Sequence, residues 1–236
     1  TRNSRKEIAP EFLGVLSDRR ALSEREAKRV LSAYGVSVAS DMVVHGADEA
    51  VAAAQTLGFP VVLKVESADI PHKTEAGVVR LSLKSEEEVR SAFAEVLLNA
   101  RRAVPDATIQ GVLVQPMLPS GLEMLIGGRV DPLFGPLIVV GFGGVLVELL
   151  KDSVTALAPV TQSKAHRMLS SLRTKTLFKG YRGAEAVDLD ALATAVARVS
   201  ELIADHQADI SEVDVNPLIC AGSRIVAVDG LIVGSV

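Results

Sequence analysis

A chain of 236 residues with a net charge of −4 can bury a substantial core, as one large domain or two lobes, and lacks the basic excess of a general nucleic-acid or membrane-surface binder. Hydrophobic residues make up 48% of it but aromatics only 3%, so Val, Ala and Leu must do the packing, which favours an α/β protein over an all-β sandwich. Cys220 is the single cysteine, which excludes an intrachain disulfide and fits a reducing, cytoplasmic setting, and no uncharged apolar run approaches the ~18 residues of a spanning helix. No secretory signal pattern is read at the start, and the opening on Thr1 leads us to expect an excised piece of something longer.

Residues 1–21 are charged and weakly patterned and read as a tether. Ser23-Glu-Arg-Glu26 is a capping box that opens a helix running to about Tyr34 and stopping at Gly35. Val36 to Val44 reads as a short strand. Asp48 is expected to cap a second helix with Ala50, Val51, Ala54 and Leu57 as its apolar face, ending at Gly58. Phe59 to Val65 is a β-branched run that reads as a buried strand, and Val78 to Leu83 alternates as an antiparallel partner would. Ser85 then caps a helix to about Ala103, followed by a strand from Val112 to Gln115.

Beyond the prolines at 116 and 119 the pattern becomes mainly β. Leu122–Ile126 and Leu137–Gly141 read as strands, Gly141-Phe-Gly-Gly144 follows, and Val145–Leu150 reads as another strand. Gln162–Leu172 and Asp188–His206 read as helices separated by the polar loop Lys179–Gly183, and Ser211–Leu218 and Arg224–Val228 close the chain as strands. The order implies two lobes enclosing a cleft, residues 22–115 as the smaller and 116–236 as the larger, with a proline-stiffened hinge between them.

Several residues stand out chemically. Lys64 interrupts an apolar strand, where an ammonium is costly to bury without an anion; otherwise it is an edge-strand lysine reaching water. His72 and Lys73 sit on the polar connection that follows, with Gly77 free to let backbone approach a ligand, an arrangement suited to phosphate beside a nucleophilic imidazole. The competing reading of His72 is a surface-loop histidine, and His45, His166 and His206 are assigned to that fate. Asp214 and Asn216 share a face by the two-residue period, and Asp229 ends the next strand, so a hairpin would bring three hard oxygen donors together for Mg²⁺; the alternative is an ordinary Asn-Pro turn. Glu123 is either a pocket carboxylate, on a ribose hydroxyl or on Lys64, or a solvated one. The glycines at 141, 143 and 144 could admit phosphates, although neither GxGxxG nor GxxxxGK[ST] is present.

The runs PVVLKVESADIPHKTEAGVV, GVLVQPMLPSGLEMLIGGRVDPLFGP, GFGGVLVELLKD, KGYRG and EVDVNPL…AVDG closely resemble the ATP-grasp domain of NDP-forming acyl-CoA synthetases and, more distantly, the beta subunit of succinyl-CoA synthetase. The resemblance spans residues 22–236 and implies an α/β (α+β) ATP-grasp fold with ATP (or GTP) and Mg²⁺ between two lobes. It implies that Lys64 holds the phosphates, with the loop from Pro71 through Lys73 and Thr74 lying over them. By the same resemblance, Gln115, Pro116, Met117 and Leu118 line the adenine side, and Glu123 completes the pocket. Asn216 and Asp229 become the metal ligands, with Asp214 beside them. His72 resembles the histidine that transiently carries the phosphoryl group to or from a second histidine.

Relatives commonly read Gln-Glu-Met at the hinge where Pro116 stands here; proline keeps the carbonyl that adenine N6 needs. The implied activity is the nucleotide half of acid + CoA + ATP = acyl-CoA + ADP + phosphate. The CoA-binding and CoA-ligase domains would lie on a partner chain or upstream in the same polypeptide. A nucleotide-sensing regulatory domain of a fused protein acetyltransferase is the alternative the resemblance leaves open. A carboxylate–amine ligase is a third reading, and it has no use for a phosphorylated His72.

Overall fold

A computed structural model of the chain describes residues 16, 21–70, 73, 75–144, 152–180 and 185–235. In chain order its first elements are α1 (Glu24–Ala33), β1 (Met42–Val44), α2 (Ala47–Leu57), β2 (Val61–Glu66), β3 (Val79–Leu83), α3 (Glu86–Ala103) and β4 (Gly111–Pro116). Then come β5 (Leu122–Asp131), β6 (Gly135–Phe142), β7 (Ser153–Leu157), α4 (Gln162–Ser171), a 3-10 turn (Lys175–Lys179), α5 (Leu189–Asp205), β8 (Ile210–Ala221), β9 (Arg224–Ala227) and β10 (Leu231–Gly234). They form two compact units: Ala39–Pro119, and the residues from Ser120 on together with those up to Val38.

The smaller unit is a four-stranded antiparallel sheet in the order β1-β4-β2-β3. Alternation along β2 sends Val61, Leu63 and Val65 to one face, where with Val112 and Val114 of β4 they pack on Ala50 and Ala54 of α2 and Val89, Phe93 and Val96 of α3. Ser85 starts α3 by accepting from the Glu88 amide at 3.2 Å, and Glu86, Glu87 and Glu88 fill the first turn while Arg101 and Arg102 fill the last, each end matching the helix dipole.

The larger unit is a second antiparallel sheet in the order β10-β8-β5-β6-β7, with β9 paired to β8. Ile126, Ile138, Val140, Val213 and Val215 share its core with Val196, Val199, Leu202 and Ile203 of α5. A Cβ on Gly128 would stand 3.2 Å from the Ile203 side chain, so glycine there lets α5 approach the sheet. The opposite face carries Glu123, Leu125, Gly127 and Arg129 of β5 and Asp214 and Asn216 of β8.

The structure moves several expected boundaries for identifiable reasons. Helix α1, expected with the small lobe from residue 22, buries Ala27, Val30 and Leu31 in the core of the larger unit beside Ile232. Its start is the expected capping box, Glu26 N donating to Ser23 Oγ at 3.4 Å and Ser23 N to Glu26 Oε2 at 2.9 Å. The far boundary falls after Pro119 rather than at 115, and the Met117 amide donates to the Pro60 carbonyl at 2.9 Å, within the smaller unit. The strand expected over 36–44 is two pieces. Val38 bridges to Ala227 in the larger unit, whereas only Met42–Val44 joins the smaller sheet.

Asp48 does not cap α2. Gly46 occupies the cap position without a side-chain bond, and Asp48 in the first turn pairs instead with Arg90 of α3 at 2.5 Å. His206, expected at the surface, lies edge-on against Tyr34 with ring centroids 6.1 Å apart. Strands β7 and β10 were not anticipated, and the strand expected over Val145–Leu150 lies outside the described residues.

Candidate active site

The candidate residues divide between the two units. In the smaller one, β2 is an interior strand bonded on both sides, to β3 and to β4, so Lys64 is not an edge lysine. Its side chain lies on the face opposite the helices, and the residue is only 4% exposed. The cross-strand pairs Val62–Gln115 and Lys64–Leu113 put Gln115, 1% exposed, on that same face one pair along. Glu66, also buried, follows Lys64 by one strand period, so a cation, a carboxylate and an amide occupy adjacent positions of one face. Pro116 ends β4 opposite Val61, and Met117 and Leu118 continue beyond it, Met117 exposed and Leu118 half-exposed.

The connection from β2 to β3 returns beside β2: the Val65 amide donates to the Val78 carbonyl and the Val78 amide to the Lys73 carbonyl, both at 3.1 Å. Lys73 is buried. His72, Thr74 and Pro71 lie outside the described residues. Gly77 has φ +66, but the partner it approaches is protein: a Cβ there would stand 3.4 Å from Asn99 Nδ2.

In the larger unit, Asn216-Pro217 is not a turn but part of β8, a twelve-residue strand. Asp214 and Asn216 alternate outward between the buried Val213, Val215 and Leu218. Strand β9 pairs Ala227 with Leu218, the Val228 amide donates to the Pro217 carbonyl at 3.0 Å, and β10 resumes with Leu231 opposite Asp214. Asp229 is therefore held in the short link facing the Asp214–Pro217 stretch, its Oδ1 accepting from the Gly230 amide at 2.8 Å. Two carboxylates and an amide oxygen on neighbouring positions fit a hard divalent cation that takes its other ligands from water and phosphate. Among the described residues no cluster of three or more Asp, Glu, His or Cys offers a metal site, so an ion here would use the Asn216 amide rather than a third acid. A hollow of about 530 Å³ on this sheet face is lined in part by Leu125, Gly127, Val139 and Asp214.

Glu123 is exposed on β5, and the glycines after β6 are shaped around it. The Gly143 amide donates to the Glu123 carbonyl at 2.7 Å, and a Cβ on Gly144, at φ +63, would stand 2.5 Å from Glu123 Oε2. Gly141 is accounted for by β7, since its Cβ would meet the Asp152 carbonyl at 2.9 Å. These glycines answer first to protein contacts rather than to a ligand.

Asp152 was missed by sequence reasoning because its partners lie more than twenty residues away. Its carboxylate accepts from the Arg173 amide at 3.1 Å and from the Thr174 amide and hydroxyl at 2.8 and 2.5 Å, joining the start of β7 to the turn after α4. Burial pushes the carboxyl pKa up, but these hydrogen bonds and the Arg173 guanidinium outweigh it and hold it below the usual Asp range. Asp152→Ala is expected to cost about 2 kcal/mol in urea unfolding at neutral pH, because it leaves the half-buried Thr174 amide and hydroxyl without their acceptor. Since the folded-state pKa is the lower one, the wild type's advantage should be full above about pH 4, the unfolded Asp value, and fade as pH falls further, as paired urea melts would show. Cys220 faces the core, burial pushing its thiol up to about 12, so it is no nucleophile at neutral pH.

The family described as an ATP-grasp domain matches residues 15–233. The beta subunit of ADP-forming acetate–CoA ligase II from Pyrococcus furiosus is 40% identical over 217 residues, which is 91% of this chain and 92% of that subunit. The chain belongs to the ATP-grasp family and is similar to the beta subunits of ADP-forming acetate–CoA ligases. Two structures of acetyl-coenzyme A synthetase 1 from Ca. Korarchaeum cryptofilum are similar to this ATP-grasp chain. One, in complex with coenzyme A and Ca-AMPCP, has 39% identity and a TM-score of 0.88 over 95% of this chain and 99% of that one. The other, with coenzyme A and Mg-AMPPCP, has 36% identity and a TM-score of 0.78 over 95% and 98%, and is described as having its phosphohistidine segment pointing towards the nucleotide-binding site. The ATP-grasp fold read from the sequence is thus the fold of the chain. A regulatory role in an acetyltransferase fusion finds no support among these relatives.

Proposed function

We propose that this chain performs the nucleotide half of an ADP-forming acyl-CoA synthetase, acid + CoA + ATP = acyl-CoA + ADP + phosphate. The observation that carries the reading is the buried Lys64 ammonium on a two-sided strand, sharing its face with Gln115, in a chain collinear with a ligase beta subunit over nine tenths of both. Lys64 and Lys73 hold the phosphates, with Thr74 beside them. Gln115, Pro116, Met117 and Leu118 receive the base, and Glu123 closes the pocket. Gly143 and Gly144 matter to binding indirectly, by leaving room for that carboxylate.

In the transfer itself the unprotonated ring nitrogen of His72 attacks the γ-phosphorus in line. The N–P bond forms as the bond from that phosphorus to the bridging oxygen breaks, ADP leaves with the electron pair, and the other ring nitrogen keeps its proton. Lys64 neutralises charge spreading over the moving phosphoryl from a dry strand position, where an ammonium acts at low dielectric. Asp214, Asn216 and Asp229 would hold Mg²⁺, which supplies charge neutralisation to the phosphate oxygens when bound. The acyl phosphate and thioester steps belong to the CoA-binding and CoA-ligase partner, on a separate subunit or fused upstream. A cytoplasmic setting, where ATP and CoA are both supplied, is part of the same reading, and among the described residues no helix is long and apolar enough to cross a membrane.

Incubation with γ-labelled ATP and Mg²⁺, alone and with the CoA-ligase partner, tests this. Acid-labile, alkali-stable label should stay on the chain and return to nucleotide when ADP is added. Nucleotide binding without any retained label would favour a carboxylate–amine ligase instead. Asp229→Asn, which keeps the shape but removes one charge from the donor set, should raise the Mg²⁺ needed for half-maximal labelling about a hundredfold. An unchanged Mg²⁺ requirement would place the ion elsewhere.

A further inference from the structure

We infer that Asn99 is a positioning residue for phosphoryl transfer, acting through the root of the connection that bears Lys73 and His72; this rests on the reading above. Asn99 lies in the interior of α3, where its side chain does nothing for the helix and a better helix former would serve local stability. It spends its amide outside the helix, Nδ2 donating to the Gly77 carbonyl at 2.9 Å across twenty-two residues of sequence. The same carbonyl accepts from Arg80 Nη1 at 3.2 Å. Arg80 is itself gripped by Glu95, whose Oε2 accepts from Nε at 2.8 Å and whose Oε1 accepts from Nη2. Glu95 and Asn99 are four residues apart and so share one face of α3. Two side chains thus converge on a single carbonyl, at a glycine with a φ of +66.

The position of this clamp gives it consequence. Val78, the next residue, joins the Lys73 carbonyl to β2 at Val65. At the other root the Asp69 amide donates to Ser67 Oγ at 3.2 Å, and Asp69 Oδ2 accepts from the Thr108 amide at 2.8 Å. The connection is therefore pinned on both sides of Lys73, at Asp69 and at Gly77, each four residues from it. Helix α3 does not need the contact to stay in place, since Val89, Ala92, Phe93, Val96 and Ala100 already bury its apolar stripe. What the clamp fixes is where the end of the connection stands relative to the strand that carries Lys64.

Asn99→Ala and the isosteric Asn99→Asp, which lacks the donor, are compared with wild type in the full chain with its CoA-ligase partner. The rate of acid-labile labelling at saturating nucleotide should fall by about tenfold to a hundredfold in both, as misplacement by an ångström does, while the nucleotide concentration for half-saturation, on which Lys73 also bears, shifts by less than that factor. Labelling at the wild-type rate in both variants would overturn the inference. So would loss of labelling together with nucleotide binding, because Asn99 would then be holding the fold rather than the connection. Failure of the proposed function looks different, since wild type itself would then retain no label.

Discussion

With His72→Ala, no acid-labile label is expected to remain on the protein after exposure to γ-labelled ATP and Mg²⁺, while nucleotide should still raise the melting temperature. The two readouts separate because the proposed binding groups are different residues from the proposed acceptor. Lys64 and Gln115 are buried on adjacent interior strands, held by cross-strand pairing and by the helix-packed core behind them. Ligand bound at a hundred times its dissociation constant stabilises by about 2.7 kcal/mol, a shift any melting curve resolves. In the proposed function the imidazole is the phosphoryl acceptor. Cys220 offers no alternative acceptor, since it is locked in the core of the other unit with its thiol protonated. Label that persisted in the variant would place the acceptor on another residue, and loss of the thermal shift would mean that His72 holds nucleotide rather than receiving phosphate.

How much of this was legible in the sequence depended on how far each feature reaches along the chain. Ser23-Glu-Arg-Glu26 and Ser85 are local devices, bonds over three residues, and both form where expected. Asp214, Asn216 and Asp229 were chosen by strand alternation and a hairpin, which are also short-range rules; β8 alternates as expected and pairs with β9, but Asp229 lies past the end of β9 in the link to β10. Asp48 misled because an acid near a helix start has two uses, and a partner on α3 won over the cap. The Asp152 clamp and the Asn99–Gly77 bond span twenty-one to twenty-two residues, and no periodicity announces a side chain that reaches a backbone group on another element. The glycines at 77, 141 and 144 show the same limit from the other side. Their backbone freedom was readable, but whether it served a ligand or a neighbouring side chain was not.

Lys64→Ala and Lys64→Met should both reduce the labelling rate on the order of a thousandfold, the loss expected when a preorganised charge facing the developing negative charge is removed. The argument starts from where the lysine stands. Lys64 is 4% exposed on a strand bonded on both edges, so its side chain is directed at the sheet face away from the helices rather than out to water. Desolvation makes that charge costly in the resting protein and effective against phosphate for the same electrostatic reason. Methionine nearly matches the length of the lysine stem and fills the space it leaves, so the Met variant removes charge while keeping the packing, and the Ala variant removes both. Equal losses in the two assign the effect to charge. Lys64→Arg restores a cation but replaces a compact point charge with a broad planar fork in a space shaped by Val62, Leu113 and Gln115, so it should recover only part of the rate. A Met variant labelling within tenfold of wild type would show that Lys64 is a packing residue, and the phosphate-binding cation would then have to be sought at Lys73.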